Sequence, residues 1–122
     1  TVEALAWSDP ANQMRRLKLN QSTGWRFLQG RGIHQGHLIG GCFEVIDWLR
    51  GTEFWPEIGT WQDAILFLDT SEDAPSPEMV KYGLRTYAAL GILQRLSGLL
   101  FARPGGQVPP EKFEEYDKVL SP

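Results

Sequence analysis

The feature that most constrains this chain is the unbroken apolar run Ala64-Ile65-Leu66-Phe67-Leu68, closed by Asp69. Five apolar residues in a row leave no polar face, so neither an amphipathic helix nor a half-wet strand fits. The run predicts a strand buried on both faces, as in the middle of a parallel sheet. Such a strand needs helices to cover it, and the flanking sequence supplies them. Ser76-Pro77-Glu78 is a helix start, with Ser at the N-cap, Pro in the first turn and an acid behind it. Val80, Leu84, Tyr87 and Ala88 then form an inward stripe, and Gly91-Ile92 ends the helix with a glycine and an apolar residue.

The same pattern recurs on either side. Phe43, Ile46 and Leu49 line one side of a short helix that stops at Arg50-Gly51. Thr52 to Gly59 reads as loop. Leu96 to Ala102 predicts a further buried strand, and Pro110 opens a helix with Phe113, Tyr116 and Leu120 on one face. Upstream, Asp9 to Leu19 reads as an irregular exposed lead-in. Trp25 to Gln29 alternates large and polar residues and predicts a strand; Gly30, Gly32 and Gly36 make a loop, and His37-Leu38-Ile39 predicts a short strand before Gly40-Gly41. Strands alternating with helices define an α/β domain with a mainly parallel sheet and flanking helices. No linker divides residues 1–122, so a single domain is expected. The chain begins at Thr1 and stops at Ser121-Pro122 just after a helix, which suggests a fragment or excised domain.

Charge and cysteine content exclude several classes. The formal charge is −3, without the basic excess that nucleic-acid modules carry or the polybasic stretch that anchors proteins to anionic membranes. No apolar run approaches the ~18–20 residues of a membrane span, and Thr1 to Pro10 lacks the basic start and apolar stretch of a signal peptide. Cys42 is the one cysteine. It forms no internal disulfide, which suits a reducing, cytoplasmic location.

Few residues invite chemistry. Gly30, Gly32 and Gly36 after an expected strand resemble a dinucleotide turn, but the next helix starts only after Gly41, and Asp69 lies well past the ~20-residue spacing of a ribose-binding acid; a plain turn is the simpler reading. His34 and His37, even with Cys42, fall short of a ligand set with its supporting partners. They read as loop residues, and Cys42 as a small hydrophobe. No Gly-x-Ser-x-Gly elbow is present. Asp69 differs, because it ends the most apolar strand, and open α/β sheets place ligands at that end of their strands. A cap on the turn Thr70-Ser71 is the alternative. Among five tryptophans, Trp48 and Trp61 read as packing. Trp7 has no periodicity to explain it: it either stacks on a ring of a ligand or plugs an edge of the core.

One ordered series is familiar. Gly24-Trp25-Arg26-x-Leu28-Gln29-Gly30 is followed by Gly36-x-Leu38-Ile39-Gly40-Gly41-Cys42-x-Glu44-Val45, then by Leu49-Arg50-Gly51-Thr52 and Ile65-Leu66-Phe67-Leu68-Asp69-Thr70-Ser71-Glu72. With Gly91-Ile92-Leu93 and Ser97-Gly98-Leu99-Leu100 it resembles the C-terminal domain of the LD-carboxypeptidase family, which includes muramoyltetrapeptide carboxypeptidases and microcin C immunity proteins. The likeness runs from about Trp7 to Pro104. It implies the swivelling β/β/α-like C-terminal domain of a cytoplasmic, homodimeric serine peptidase that needs no metal or other cofactor. It also implies a Ser-Glu-His triad in which the nucleophilic Ser comes from an N-terminal domain, and Glu and His from the C-terminal one. Asp69 stands at the family's Glu position, one methylene shorter, and would face a cleft completed by the partner domain. The His would follow Pro122, so this chain alone should be inactive. Trp7 corresponds roughly to aromatic residues that stack on the nucleotide part of the substrate in the immunity branch. The expected reaction is amide hydrolysis of a murein tetrapeptide or a peptidyl or aminoacyl nucleotide, with no nucleic acid or membrane as partner. The alternative is a non-enzymatic ligand-binding or degenerate homologue domain.

Overall fold

Three parallel strands carry the fold, in the order β1 (Leu38–Cys42), β2 (Ile65–Asp69) and β3 (Gly98–Phe101). Our computed structural model describes residues 5–6, 8–19, 21, 24–105 and 108–121. Register pairs Ile39 with Leu66 and Leu66 with Leu99, Gly41 with Leu68 and Leu68 with Phe101, and Cys42 with Asp69. Between and around the strands lie α1 (Pro10–Gln13), α2 (Phe43–Trp48), α3 (Pro77–Ala89) and α4 (Phe113–Leu120). Single 3-10 turns at Ile58–Trp61, Leu93–Arg95 and Pro110–Lys112 complete the described elements.

The helix signals read from the sequence coincide with the helix ends. Ser76 caps α3, its hydroxyl accepting from the Met79 N–H at 3.2 Å. At the other end the Gly91 N–H donates to Ala88 and the Ile92 N–H to Tyr87, both at 2.9 Å, with Gly91 at φ +74°. That is a Schellman closure, and it carries Ile92 into the core. The core joins Leu66 and Leu68 of β2 to Phe43 of α2, Val80, Leu84 and Tyr87 of α3, and Tyr116 of α4, with Trp61 at one end. The Tyr116 hydroxyl donates to the Pro75 carbonyl at 2.8 Å, tying α4 to the entry of α3.

Several expectations are corrected. The strand β2 is buried on one face rather than both: Leu66 and Leu68 are inside, whereas Phe67 remains 38% exposed. The buried residues of α2, α3 and α4 all gather in the cluster around Leu66 and Leu68, so the helices cover that face and leave the other to Phe67 and Leu100. The segment 25–29 forms no strand; Phe27 is 89% exposed, and alternation without a neighbouring strand gives no ladder to hold it. The strand expected at His37–Ile39 begins at Leu38 and continues through Gly40-Gly41 to Cys42. Glycine is what allows this, since a Cβ on Gly40 would stand 1.7 Å from the Phe67 carbonyl oxygen across the ladder. The lead-in contains the short α1, capped by Asp9, which accepts from the Ala11 N–H at 2.9 Å. Of the two tryptophans expected to pack, Trp61 is buried, but Trp48 is 75% exposed on the outer side of α2.

Candidate functional site

The C-terminal edge of the sheet gathers the chemistry. Asp69 closes β2, and its register partner Cys42 closes β1. Cys42 is also the N-cap of α2, so the chain passes directly from strand to helix beside Asp69. The Asp69 side chain is exposed at this edge. It lines neither the hollow beside Trp55, Trp61 and Leu90 nor the one between Pro77, Lys112 and Tyr116. Neither hollow is therefore the cleft expected at Asp69, and the carboxylate is open to solvent at the sheet edge within this domain.

The chain leaving Asp69 is held from two sides. The Gly105 N–H donates to the Thr70 hydroxyl oxygen at 2.6 Å. The Ser71 hydroxyl donates to Glu44 Oε1 at 2.7 Å, and the Ser71 N–H reaches the two Glu44 oxygens at 3.3 and 3.4 Å. The Cys42 thiol donates to Glu44 Oε2 at 3.3 Å. Partial burial pushes Glu44 up, but hydrogen bonds from the Ser71 hydroxyl, its own backbone, Cys42 and the Ser71 N–H outweigh it. Glu44 is therefore held below the usual carboxylate range. Sequence reasoning did not single out Glu44. The signal was an acid in the first turn of a helix that starts where a strand ends, a position that favours negative charge.

The other candidates lie elsewhere. His34 Nε2 donates to the Arg31 carbonyl at 3.1 Å and His37 Nε2 to the Thr60 carbonyl at 2.7 Å, so both rings bond to backbone carbonyls. Among the described residues no three His, Cys, Asp or Glu side chains group as metal ligands. Gly30 and Gly32 have positive φ in a loop that no helix follows, which is not the strand–turn–helix of a dinucleotide site. Trp7 lies outside the described residues.

The domain is thus a parallel α/β sheet with an acid at the C-terminal end of its central strand, the edge at which open α/β sheets place ligands. Residues 35–121 match the LD-carboxypeptidase C-terminal domain. This is more than half of the chain, and the chain belongs to that family. Its structure is similar to the crystal structure of an MccF-like protein from Streptococcus pneumoniae in complex with AMP, at a TM-score of 0.80 and 26% sequence identity. The match covers 98% of this chain and 38% of that one; the chain thus spans well under half of the relative's length. No curated protein matches it.

Proposed function

We propose that this domain supplies the acidic member of a Ser-acid-His triad in a serine carboxypeptidase-like hydrolase, with Asp69 as that acid. The observation that carries the reading is the place of Asp69, exposed at the C-terminal end of the central strand, in a chain of the LD-carboxypeptidase family. In such a triad the carboxylate orients the imidazole and stabilises the imidazolium formed when the serine proton is taken. Backbone N–H groups near the nucleophile hold the oxyanion. On this reading the serine and the histidine are supplied from outside these 122 residues, and this chain by itself should turn nothing over.

The bond cleaved is an amide near a free carboxylate, in either a murein tetrapeptide or a peptidyl or aminoacyl nucleotide. The AMP bound by the MccF-like relative supports the nucleotide arm, and Trp7 is the candidate to stack on its base. A homodimer in the cytoplasm belongs to the same reading; among the described residues no helix is long and apolar enough to cross a membrane. The test is hydrolysis of both substrates by the protein that carries all three triad members, compared with Asp69→Ala and Asp69→Glu. Asp69→Ala should lower kcat by roughly 10³–10⁴-fold, and Asp69→Glu should retain activity. An unchanged rate for Asp69→Ala removes Asp69 from the mechanism. A protein that binds but hydrolyses neither substrate is the non-enzymatic binding domain that the shorter Asp69 would favour.

A further inference from the structure

Glu44 is a half-buried carboxylate that reaches across 27 residues of sequence to Ser71. Satisfying a helix N-terminus does not require this. An acid in that turn gains from the helix dipole while facing water, yet this one turns toward the loop behind β2. Its two side-chain partners flank Asp69: Cys42 pairs with Asp69 in register, and Ser71 follows it by two residues. The Ser71 hydroxyl also accepts from the Asp73 N–H at 3.2 Å, and the Ala74 N–H donates to the Ser71 carbonyl at 3.1 Å. Apart from the Thr70 hydroxyl, which accepts from Gly105, the turn after the strand is organised on Ser71, and Ser71 on Glu44.

We infer that Glu44 is a positioning residue for Asp69: it fixes the backbone as it leaves β2, and so sets where the Asp69 carboxylate points. The inference rests on the proposed role of Asp69. A carboxylate one methylene shorter than the family's Glu has less reach to correct a displaced strand end, so its direction depends on the turn that follows. Glu44 acts through Ser71 and does not touch the reacting atoms.

The experiment compares Glu44→Gln, Ser71→Ala, the double variant and Asp69→Ala in the protein that carries the nucleophile and histidine, with a murein tetrapeptide and an amide-linked peptidyl nucleotide as substrates. Glu44→Gln retains the side-chain shape but presents an NH₂ where a donor now arrives. A misdirected catalytic group slows chemistry more than binding, so kcat should fall roughly 10- to 100-fold with KM within about twofold. Ser71→Ala, the milder change, should lower kcat about tenfold, the worth of one charge-assisted hydrogen bond. Because both variants break the shared Ser71 hydroxyl–Glu44 hydrogen bond, the loss in the double variant should fall short of the product of the two single losses. The inference is overturned if Glu44→Gln or Ser71→Ala keeps its kcat while Asp69→Ala is inactive. Multiplying losses in the double variant overturn it too, as does activity that merely tracks the folded fraction in thermal unfolding. A protein inert to both substrates, or an active Asp69→Ala, removes the proposed function and this inference with it.

Discussion

Replacing Tyr87 by Phe tests how the core is held. Tyr87 is fully buried at the meeting point of α3 and the aromatic cluster, its ring centroid 5.8 Å from Trp55 and 6.5 Å from both Phe43 and Trp61. Its hydroxyl has no hydrogen-bond partner among the described residues. Burial, reinforced by the Asp47 carboxylate and opposed by Arg50, pushes the hydroxyl up from 10.0 to about 12. The unfolded chain therefore releases this proton first as the pH rises. The stability carried by the neutral hydroxyl is whole below pH 10 and is lost between pH 10 and about 12. A shift of that size corresponds to roughly 3 kcal/mol. Phe keeps the ring contacts and has nothing to ionise. At neutral pH the variant should match or exceed the parent by about 1 kcal/mol, because an unpaired buried hydroxyl is costly to desolvate. On the alkaline limb its advantage should widen by roughly 3 kcal/mol. Urea unfolding of both proteins across the alkaline range measures this, and taking the difference cancels the contributions that the two proteins share. If the two stability curves run parallel to pH 12, Tyr87 does not ionise with unfolding and the reasoning is wrong.

Two further outcomes are expected. Gly83→Ala gains about 1 kcal/mol of helix propensity, but the new Cβ would stand 2.2 Å from Phe43 Cζ. Displacing that buried ring costs ~1–3 kcal/mol, so the thermal midpoint should fall; a rise would show that the ring yields freely. The lowered pKa of Glu44 gives stability that is present above the ordinary carboxylate range and lost as the pH falls through the folded value. Glu44→Gln should accordingly flatten the acid limb of the stability curve, and an unaltered limb would show that the hydrogen bonds at Glu44 add nothing.

Legibility followed the range of the forces involved. The bounds of α3 could be read from Ser76, Pro77 and Gly91 because capping is a contest among neighbouring backbone groups, settled within a turn of the helix. The strand β2 could be read because a run of five apolar residues leaves no polar face for an amphipathic helix. Its one-sided burial could not, because coverage of a sheet face depends on where distant helices land. Trp25 to Gln29 misled for a related reason: alternation describes what a strand needs on its faces, and says nothing about whether a partner strand is at hand. Gly40 and Gly41 looked like an end to β1, and instead both lie within it, Gly40 permitting its close approach to β2, a long-range contact invisible in the local pattern. Asp69 was visible as a strand end, whereas Glu44 takes its meaning from Ser71, a pairing that only the fold creates.

Phe43 and Glu44 are consecutive residues with opposite tasks, which links the core to the edge of the sheet. Phe43 inserts into the cluster beside Gly83 and Tyr87, and Glu44 holds the turn that follows Asp69. Both sit in the first turn of the six-residue helix α2, which is too short to absorb a displacement at one residue before it reaches the next. A Cβ at Gly83 that drives the Phe43 ring aside therefore also moves the Glu44 carboxylate relative to Ser71. Gly83→Ala and Ser71→Ala should then fail to add in stability, their combined loss falling short of the sum because the first already loosens the contact that the second removes. Strict additivity would mean that the core and the turn behind Asp69 are held independently, and that α2 transmits nothing between them.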